Sequence, residues 1–247
     1  MTGRELVAYL RESLLDDAEV PYKWSDAELL RFLNYAEVQA CRRANLIIDS
    51  TTQTDSGTAA TASTWGTRAL CYVVFAQNQA TYNISTKIIQ IRRCQLSSMT
   101  YPLRGPMSYE ELDEINSGWI GTSGTVGTAG SSGDPWCFLN EPNDTLTFVL
   151  APGTSGTARL VVSRLPLMAF GLSTSPEIHE KYHEQICDWA AHLAFKKPDP
   201  DTMNLELARY YEVRFAQSFG PLPDAYSEKM RKTIQMGGRM RAREFGQ

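Results

Sequence analysis

The chain has 247 residues, 43% of them apolar and 21% charged, which suffices for one large domain or two small ones around a hydrophobic core. Its formal net charge of -4 means that the molecule as a whole is not electrostatically complementary to nucleic acid. It contains neither an apolar run of the roughly 20 residues that a membrane span needs nor the apolar core of a signal peptide. These features predict a globular protein that is made in a cytoplasm and has no membrane partner.

The first fifty residues carry two helix patterns. Thr2 with Glu5 and Ser25 with Glu28 have the spacing of capping boxes, and a break that contains Pro21 lies between them. We therefore expect an αα-hairpin. The apolar residues on its buried faces are predicted to be Leu6, Leu10 and Leu14 in the first helix, and Leu29, Leu30, Leu33, Ala36, Val38 and Ala40 in the second.

The middle of the chain is rich in β-forming residues. Leu146, Phe148 and Leu150 alternate with other residues before a turn at 152–156, which predicts a half-buried hairpin around that turn. Ser108–Ile115 has the pattern of a short acidic helix. Runs of Val, Ile, Thr, Tyr and Phe predict strands at 69–75, 81–84, 87–96, 136–139, 145–150 and 159–165.

Two stretches of Gly, Ser and Thr interrupt the β region, at Ser50–Thr67 and Gly121–Gly133. Such compositions bury little surface, and we expect the second stretch to be a mobile loop. The five cysteines are odd in number and widely spaced, without a CxxC pair. They fit neither a disulfide framework nor a zinc site, so we expect them to be mostly small buried residues in a reducing compartment.

Helical patterns return near the C-terminus. Ser175-Pro176-Glu177 predicts the start of a helix that continues to about Phe195, and another helix is expected from Asp201 to about Phe219. Beyond a Gly-Pro-Leu-Pro break, the last segment is locally basic. The apolar residues of the second of these helices are Leu205, Ala208, Tyr211, Val213 and Phe215.

The order of elements predicts an α+β fold, in which a discontinuous helical bundle of N- and C-terminal helices carries an inserted β-rich, antiparallel domain. We expect an N-terminal helical hairpin at 1–48 and the β-rich insertion at 49–166. Helices at 167–222 complete the bundle, and a basic C-terminal tail occupies 223–247.

One motif could carry chemistry. His179-Glu180-Lys181-Tyr182-His183 matches H-E-x-x-H, in which two histidines one helical turn apart bind zinc and the glutamate activates a metal-bound water. The only other histidine, His192, lacks the spacing of a third ligand, and a charged lysine lies between the pair. We therefore expect Tyr182, Ile186 and Trp189 to face the core and the histidines to be half-exposed. A zinc metalloenzyme stays open as the alternative; otherwise the sequence offers no catalytic residue, metal ligand or cofactor motif.

Several segments in order then resemble one family. Tyr22–Ala36 reads YKWSDAELLRFLNYA, strands and a Pro102-Leu103 pair lead to an acidic helix ending near Trp119, and Asp134–Phe138 and Pro176–Ala190 follow. They resemble tailed-bacteriophage head-to-tail adaptors, also called connector or neck proteins, whose second helix opens with W-[ST]-D-x-E-L-L-x-x-[IL]-N-x-A. The resemblance implies that the histidine of the returning helix is not a metal ligand. It also implies a structural role for the motif residues Trp24, Asp26, Leu29, Leu33, Asn34, Trp119, Trp136, Tyr182 and Trp189.

The resemblance further implies a structural protein of the virion and not an enzyme. Its members would form a dodecameric ring beneath the portal protein at the head–tail junction, continue the DNA channel, and offer a platform for tail or nozzle proteins. Such a ring has heterologous interfaces that close by rotation, and an acidic lumen would let DNA pass without sequence-specific binding. The basic tail would contact the portal through Arg239, Arg241, Arg243 and Phe245, unless it is only a solvated, frayed terminus.

Two further readings stay open. Another ring or tail-tube component of the virion would differ only in its position in the particle. A DNA-binding accessory protein would show steeply salt-dependent DNA binding, which the net charge disfavours.

Overall fold

A computed structural model describes residues 1–51, 70–115, 119, 132–141 and 143–233. They form two compact units. The first unit contains Met1–Asp49 and Ser163–Asp224, and the second contains the described residues of 50–162 together with those that follow Asp224. The chain therefore leaves the first unit, builds most of the second, and returns.

Helices and strands alternate in blocks along the chain, as the sequence patterns predicted. The helices are α1 (Gly3–Tyr9, continued by a π-helical turn Leu10–Leu15), α2 (Asp26–Ala44), α3 (Tyr109–Ile115), α4 (His183–Lys196), α5 (Leu205–Phe219) and α6 (Ala225–Thr233). The strands are β1 (Ile47–Asp49), β2 (Tyr72–Phe75), β3 (Thr81–Asn83), β4 (Ile88–Leu96), β5 (Ser132–Gly133), β6 (Cys137–Glu141), β7 (Thr145–Val149), β8 (Ala151–Pro152) and β9 (Gly156–Arg164).

The two N-terminal helices begin where their caps predict. The Thr2 hydroxyl accepts a hydrogen bond from the backbone N–H of Glu5, while the Glu5 carboxylate accepts one from the N–H of Thr2. The Ser25 hydroxyl accepts one from the N–H of Glu28. These bonds satisfy amide groups that a helix leaves without an internal partner. The predicted buried positions are confirmed for Leu6, Leu10, Leu14, Leu29, Leu33, Ala36 and Ala40, while Leu30 and Val38 are half-buried.

The first unit buries one core between α1, α2, α4 and α5. Trp24 and Phe195 meet edge to face with ring centroids 6.1 Å apart, and Phe195 stacks on Tyr211. Within α5, Ala208, Tyr211 and Phe215 are buried. Leu205 and Val213, apolar residues of the same helix, are more than half exposed. Leu205 is the first residue of the helix, and Val213 lies outside the buried stripe, which recurs every three or four residues.

The predicted start of the returning helix was also wrong. A helix at Ser175 was expected, but a 3-10 turn occupies Glu180–Tyr182 and α4 begins only at His183. The break lies at His179, which has extended backbone and whose Nδ1 accepts a hydrogen bond from the N–H of Lys181, so no continuous helix runs through it. Before it, the N–H groups of Glu177 and Ile178 donate to the side chain of Glu37 on α2. The proline and acidic residues of 175–177 therefore belong to a segment held by another helix.

The second unit contains two main sheets and a short two-residue pair. Strand β7 pairs antiparallel with β3 and β6, and β9 pairs antiparallel with β2 and also pairs with β4. The predicted hairpin around 152–156 was therefore wrong, because the strands on either side of that turn belong to different sheets. Strand β7 is also not half-buried: Leu146, Thr147, Phe148 and Val149 are all buried. The hairpin lies one turn earlier, between β6 and β7.

Two helices pack on this β unit. Helix α3 begins with the predicted capping box, in which Ser108 and Glu111 each accept a hydrogen bond from the other's backbone N–H. Its Leu112 is fully buried. Helix α6 opens the segment that we expected to be a basic tail, and it contacts β4 and β6. Lys232 of α6 forms an ion pair with Asp144.

These elements confirm the α+β fold with antiparallel sheets. All five cysteines are free and buried, as predicted. Burial raises the pKa of Cys94 to about 12. In the part of the chain that the structure describes, no helix combines the length and the apolar character that crossing a membrane requires. Most of the Ser50–Thr67 and Gly121–Gly133 stretches lies outside the described residues.

Two substitutions in α5 test which of its faces is buried. Phe215→Ala removes a fully buried ring and should lower the free energy of unfolding by about 3–5 kcal/mol. Val213→Ala, two residues earlier and exposed, should change it by at most about 0.5 kcal/mol. Urea unfolding of the full chain measures both, and similar losses for the two variants would place Val213 in the core after all.

Candidate functional site

The tryptophan motif before α2 is held by a buried arginine. The Arg11 guanidinium contacts Asp17 at 2.5 Å and Asp26 at 2.7 Å, and it donates to the carbonyl oxygen of Trp24 at 2.6 Å. Asp17 in turn accepts from the N–H of Lys23. Two carboxylates and a carbonyl thus match the donors of one guanidinium, the arrangement that a buried arginine requires. The Trp24 ring then points into the core of the first unit.

Asn34 joins α2 to the chain that returns from the second unit. Its amide nitrogen donates to the carbonyl oxygens of Leu30 and Phe170, and its amide oxygen accepts from the N–H of Phe170. Asn34 and Phe170 are 136 residues apart in the chain. The side chain therefore satisfies both backbone groups of one returning residue, which fixes its position next to α2.

Glu37 lies one turn further along the same helix and continues this contact. Its side chain is 1% exposed, and Oε1 accepts from the N–H groups of Glu177 at 2.6 Å and Ile178 at 3.1 Å. Burial raises the pKa of Glu37 to about 7, although the two N–H groups act in the opposite direction. We define Asn34 and Glu37 together as the α2 clasp.

A second ion-pair network stands next to the clasp. The Arg164 side chain, at the end of β9, donates to Asp49 at 2.6 Å and forms an ion pair with Glu177. The other oxygen of Glu177 accepts from the N–H of Leu167. The chain's departure at Asp49 and its return at Arg164 are therefore tied by one buried guanidinium.

The remaining motif residues also pack inside their own units. Tyr182 is half-buried against Phe219, with ring centroids 5.9 Å apart. The Trp189 ring contacts both the Arg43 guanidinium and Phe215, which also contact each other, and it stacks on His192.

In the second unit, the Trp119 indole N–H donates to Asp113 at 2.7 Å, and its ring stacks on Tyr109 of α3. Trp136 is half-buried against the same cluster. Each tryptophan of the motif set thus holds an element of the fold in place.

The H-E-x-x-H residues do not form the geometry that zinc requires. His179 has extended backbone and is exposed, while His183 is the first residue of α4 and is 2% exposed. The two histidines therefore do not share a helical face, and the expectation that both are half-exposed was wrong. In the described part of the chain, no three His, Cys, Asp or Glu residues are grouped to hold a metal ion.

Both ring nitrogens of His183 already have partners. The Met1 nitrogen lies 3.1 Å from Nδ1, and the carbonyl oxygen of Ile178 lies 3.1 Å from Nε2. Burial lowers the pKa of His183, although the hydrogen bond to Ile178 acts in the other direction. A neutral ring that donates from Nε2 and accepts at Nδ1 satisfies both contacts. The sequence motif is thus explained by a packing histidine and an exposed one.

Most motif residues are buried or half-buried, although Asp26 is exposed, and the sequence patterns gave no indication of what surrounds them. Arg11, Glu37 and Arg164 were not singled out, although each is a charged residue within or beside an apolar run. That position was the available signal, because a charge in a buried stripe needs a partner. The proposed tail contacts Arg239, Arg241, Arg243 and Phe245 lie outside the described residues.

The side chains that stand out in the sequence are used for packing and hydrogen bonds inside their own units. A family model described as SU10 adaptor protein matches residues 1–241. The chain belongs to this family, which is a family of phage head-to-tail adaptors, and it is therefore related to structural components of the virion that interact with portal and tail proteins. No curated protein matches the chain.

Replacing each histidine by alanine distinguishes a packing role for His183 from a zinc site. His183→Ala leaves the buried Ile178 carbonyl without its partner and should lower the free energy of unfolding by about 1–3 kcal/mol. His179→Ala, at the exposed position, should change it by at most about 0.5 kcal/mol. Thermal unfolding with and without zinc measures both. A zinc-dependent stabilisation that either substitution abolishes would contradict the packing role.

The raised pKa of Glu37 predicts that stability depends on pH. The folded protein retains the proton up to about pH 7, whereas an unfolded chain loses it near the usual glutamate value of 4.5. The stabilisation of the folded state by this bound proton is therefore fully present at low pH and is lost as the pH rises through 7. It amounts to roughly 3 kcal/mol for a group this buried.

Urea unfolding between pH 5 and 8 measures the effect, and Glu37→Gln should make the curve flatter than that of the wild type. Part of the slope should remain in this variant, because burial also raises the pKa of Asp188 to about 6 against the lowering effect of Arg214. Identical pH profiles for the variant and the wild type would contradict the assignment to Glu37.

Proposed function

We propose that this chain is the subunit of a homo-oligomeric, dodecameric ring that docks beneath the portal at the head–tail junction. The ring would extend the DNA channel and offer a platform for tail or nozzle proteins. The observation that carries this proposal is the family match over residues 1–241, which includes both units.

The structure supports this function through the way the motif residues are used. The tryptophan motif, the α2 clasp and the Arg164 network stabilise the first unit from within. A protein that passes on load between a head and a tail needs such internal ties, and it needs no substrate cleft. The zinc metalloenzyme alternative loses support because His183 is buried with both nitrogens occupied.

DNA would pass through the ring without sequence-specific binding. The net charge of -4 gives each subunit no overall attraction for phosphates, and a ring multiplies that charge. We propose in addition that Arg239, Arg241, Arg243 and Phe245 contact the portal. Clustered guanidinium groups favour an acidic surface on that partner.

Light scattering of the purified protein, alone and mixed with purified portal rings of the same phage, tests the proposal. The expected result is a portal-dependent rise in mass by a fixed multiple of the 27.6 kDa subunit, which also gives the stoichiometry. A mass that never changes on mixing would contradict the adaptor function.

The same experiment also tests the proposed contacts between the tail and the portal. Replacing Arg239, Arg241 and Arg243 by alanine should weaken portal binding and reduce its dependence on salt. The matched control replaces three exposed basic residues of the first unit, Arg4, Arg31 and Arg209, and should bind as the wild type does. Equal binding by the tail variant would remove the tail from the interface.

A further inference from the structure

We propose that neighbouring subunits join through two charged surfaces of the second unit, an arginine groove on one copy and the acidic helix α3 on the next. The arginine groove is lined by Ser50, Arg93, Gln95, Arg159 and Val161. The inference rests on the proposed ring and adds the residues that would join its subunits.

The arginine groove is a cavity of about 200 Å³ on the sheet that contains β4 and β9. Arg93 and Arg159 are both exposed. Among the described residues neither guanidinium has a carboxylate within ion-pair distance, and Arg93 donates only to the amide oxygen of Gln95. Two guanidinium groups beside an apolar Val161 offer donors in the fork geometry that carboxylates fit.

An apolar margin accompanies the groove. Val74 of β2 pairs with Thr157 in β9, two residues from Arg159, so its side chain lies on the same face of the sheet as Arg159. Val74 is 46% exposed, and Val161 is half-buried. A partner that covers this margin excludes water from the arginines and strengthens any ion pair made there.

Helix α3 has the complementary chemistry. Glu110 and Glu114 are four residues apart, so they lie on one side of the helix, opposite the buried Leu112. Both are exposed, neither forms an ion pair among the described residues, and α3 contains no basic residue. Tyr109 and Ile115 at its ends are about half exposed. The helix thus presents carboxylates with apolar neighbours, as the groove presents guanidinium groups with apolar neighbours.

The occupant that fits best is a second copy of this chain. A ring needs a heterologous interface, in which two different surfaces of one subunit are complementary to each other. The groove and α3 are two such surfaces, of opposite charge and in the same unit. Nucleic acid fits less well, because two arginines provide few of the phosphate contacts that DNA binding needs and the chain as a whole is acidic.

Charge reversal on each surface gives a sharp test. One variant carries Arg93→Glu with Arg159→Glu, and the other carries Glu110→Arg with Glu114→Arg. Each alone has two surfaces of like charge and should lose the full complement of subunits on the portal ring. Mixed in equal amounts, the two variants should recover it, because the acidic helix of one fits the basic groove of the other and the reversed surfaces also match. Light scattering of the portal complexes measures the mass in each case.

The control carries Arg4→Glu with Arg209→Glu on exposed residues of the first unit, which gives the same change in net charge as the groove variant, and it should assemble as the wild type does. Full complexes formed by either reversed variant alone, or no recovery in the mixture, would overturn the proposal. The proposal would also be overturned if the wild type bound duplex DNA in a salt-dependent way and the groove variant alone lost that binding while still assembling. That result would assign the groove to nucleic acid. If even the wild type forms no portal complex, the adaptor function itself fails, which is a distinguishable result.

Discussion

The helical unit depends on hydrogen bonds that α2 makes with the chain after it returns. Asn34 binds Phe170, and Glu37 binds the N–H groups of Glu177 and Ile178. These bonds add direction to the apolar packing of α4 and α5 against α1 and α2. Apolar contact is not directional, whereas a buried N–H group forms a hydrogen bond only with an acceptor in the correct position. The α2 clasp therefore fixes where the inserted unit ends and the helical unit resumes.

The same bonds explain which parts of the fold could be predicted from sequence. Elements with local signals, such as the Thr2 and Ser108 capping boxes and the strand at Ile88–Leu96, were located well because their causes lie within a few residues. The start of α4 was misplaced, and the segment before it is held by a distant residue: the amides at 177 and 178 are satisfied by a side chain 140 and 141 residues away. No local pattern in the sequence contains that partner.

Strand pairing shows the same limit in another form. The turn at 152–156 has every local feature of a hairpin, yet its flanking strands join different sheets. Alternation also failed as a guide to burial in β7, whose two faces are both covered. A period of two in hydrophobicity identifies a strand, but the number of layers around it decides which side chains are exposed.

The histidine motif shows why chemistry cannot be inferred from spacing alone. Two histidines four residues apart share a metal only if the backbone between them is helical. Here His179 has extended backbone and caps a 3-10 turn, with its Nδ1 accepting a hydrogen bond from the N–H of Lys181. Because helical backbone begins only at His183, the two histidines do not share the helical face that a zinc site would need. His183 is instead buried, with its ring nitrogens next to the Met1 nitrogen and the Ile178 carbonyl oxygen, so its partners and its burial assign it to packing.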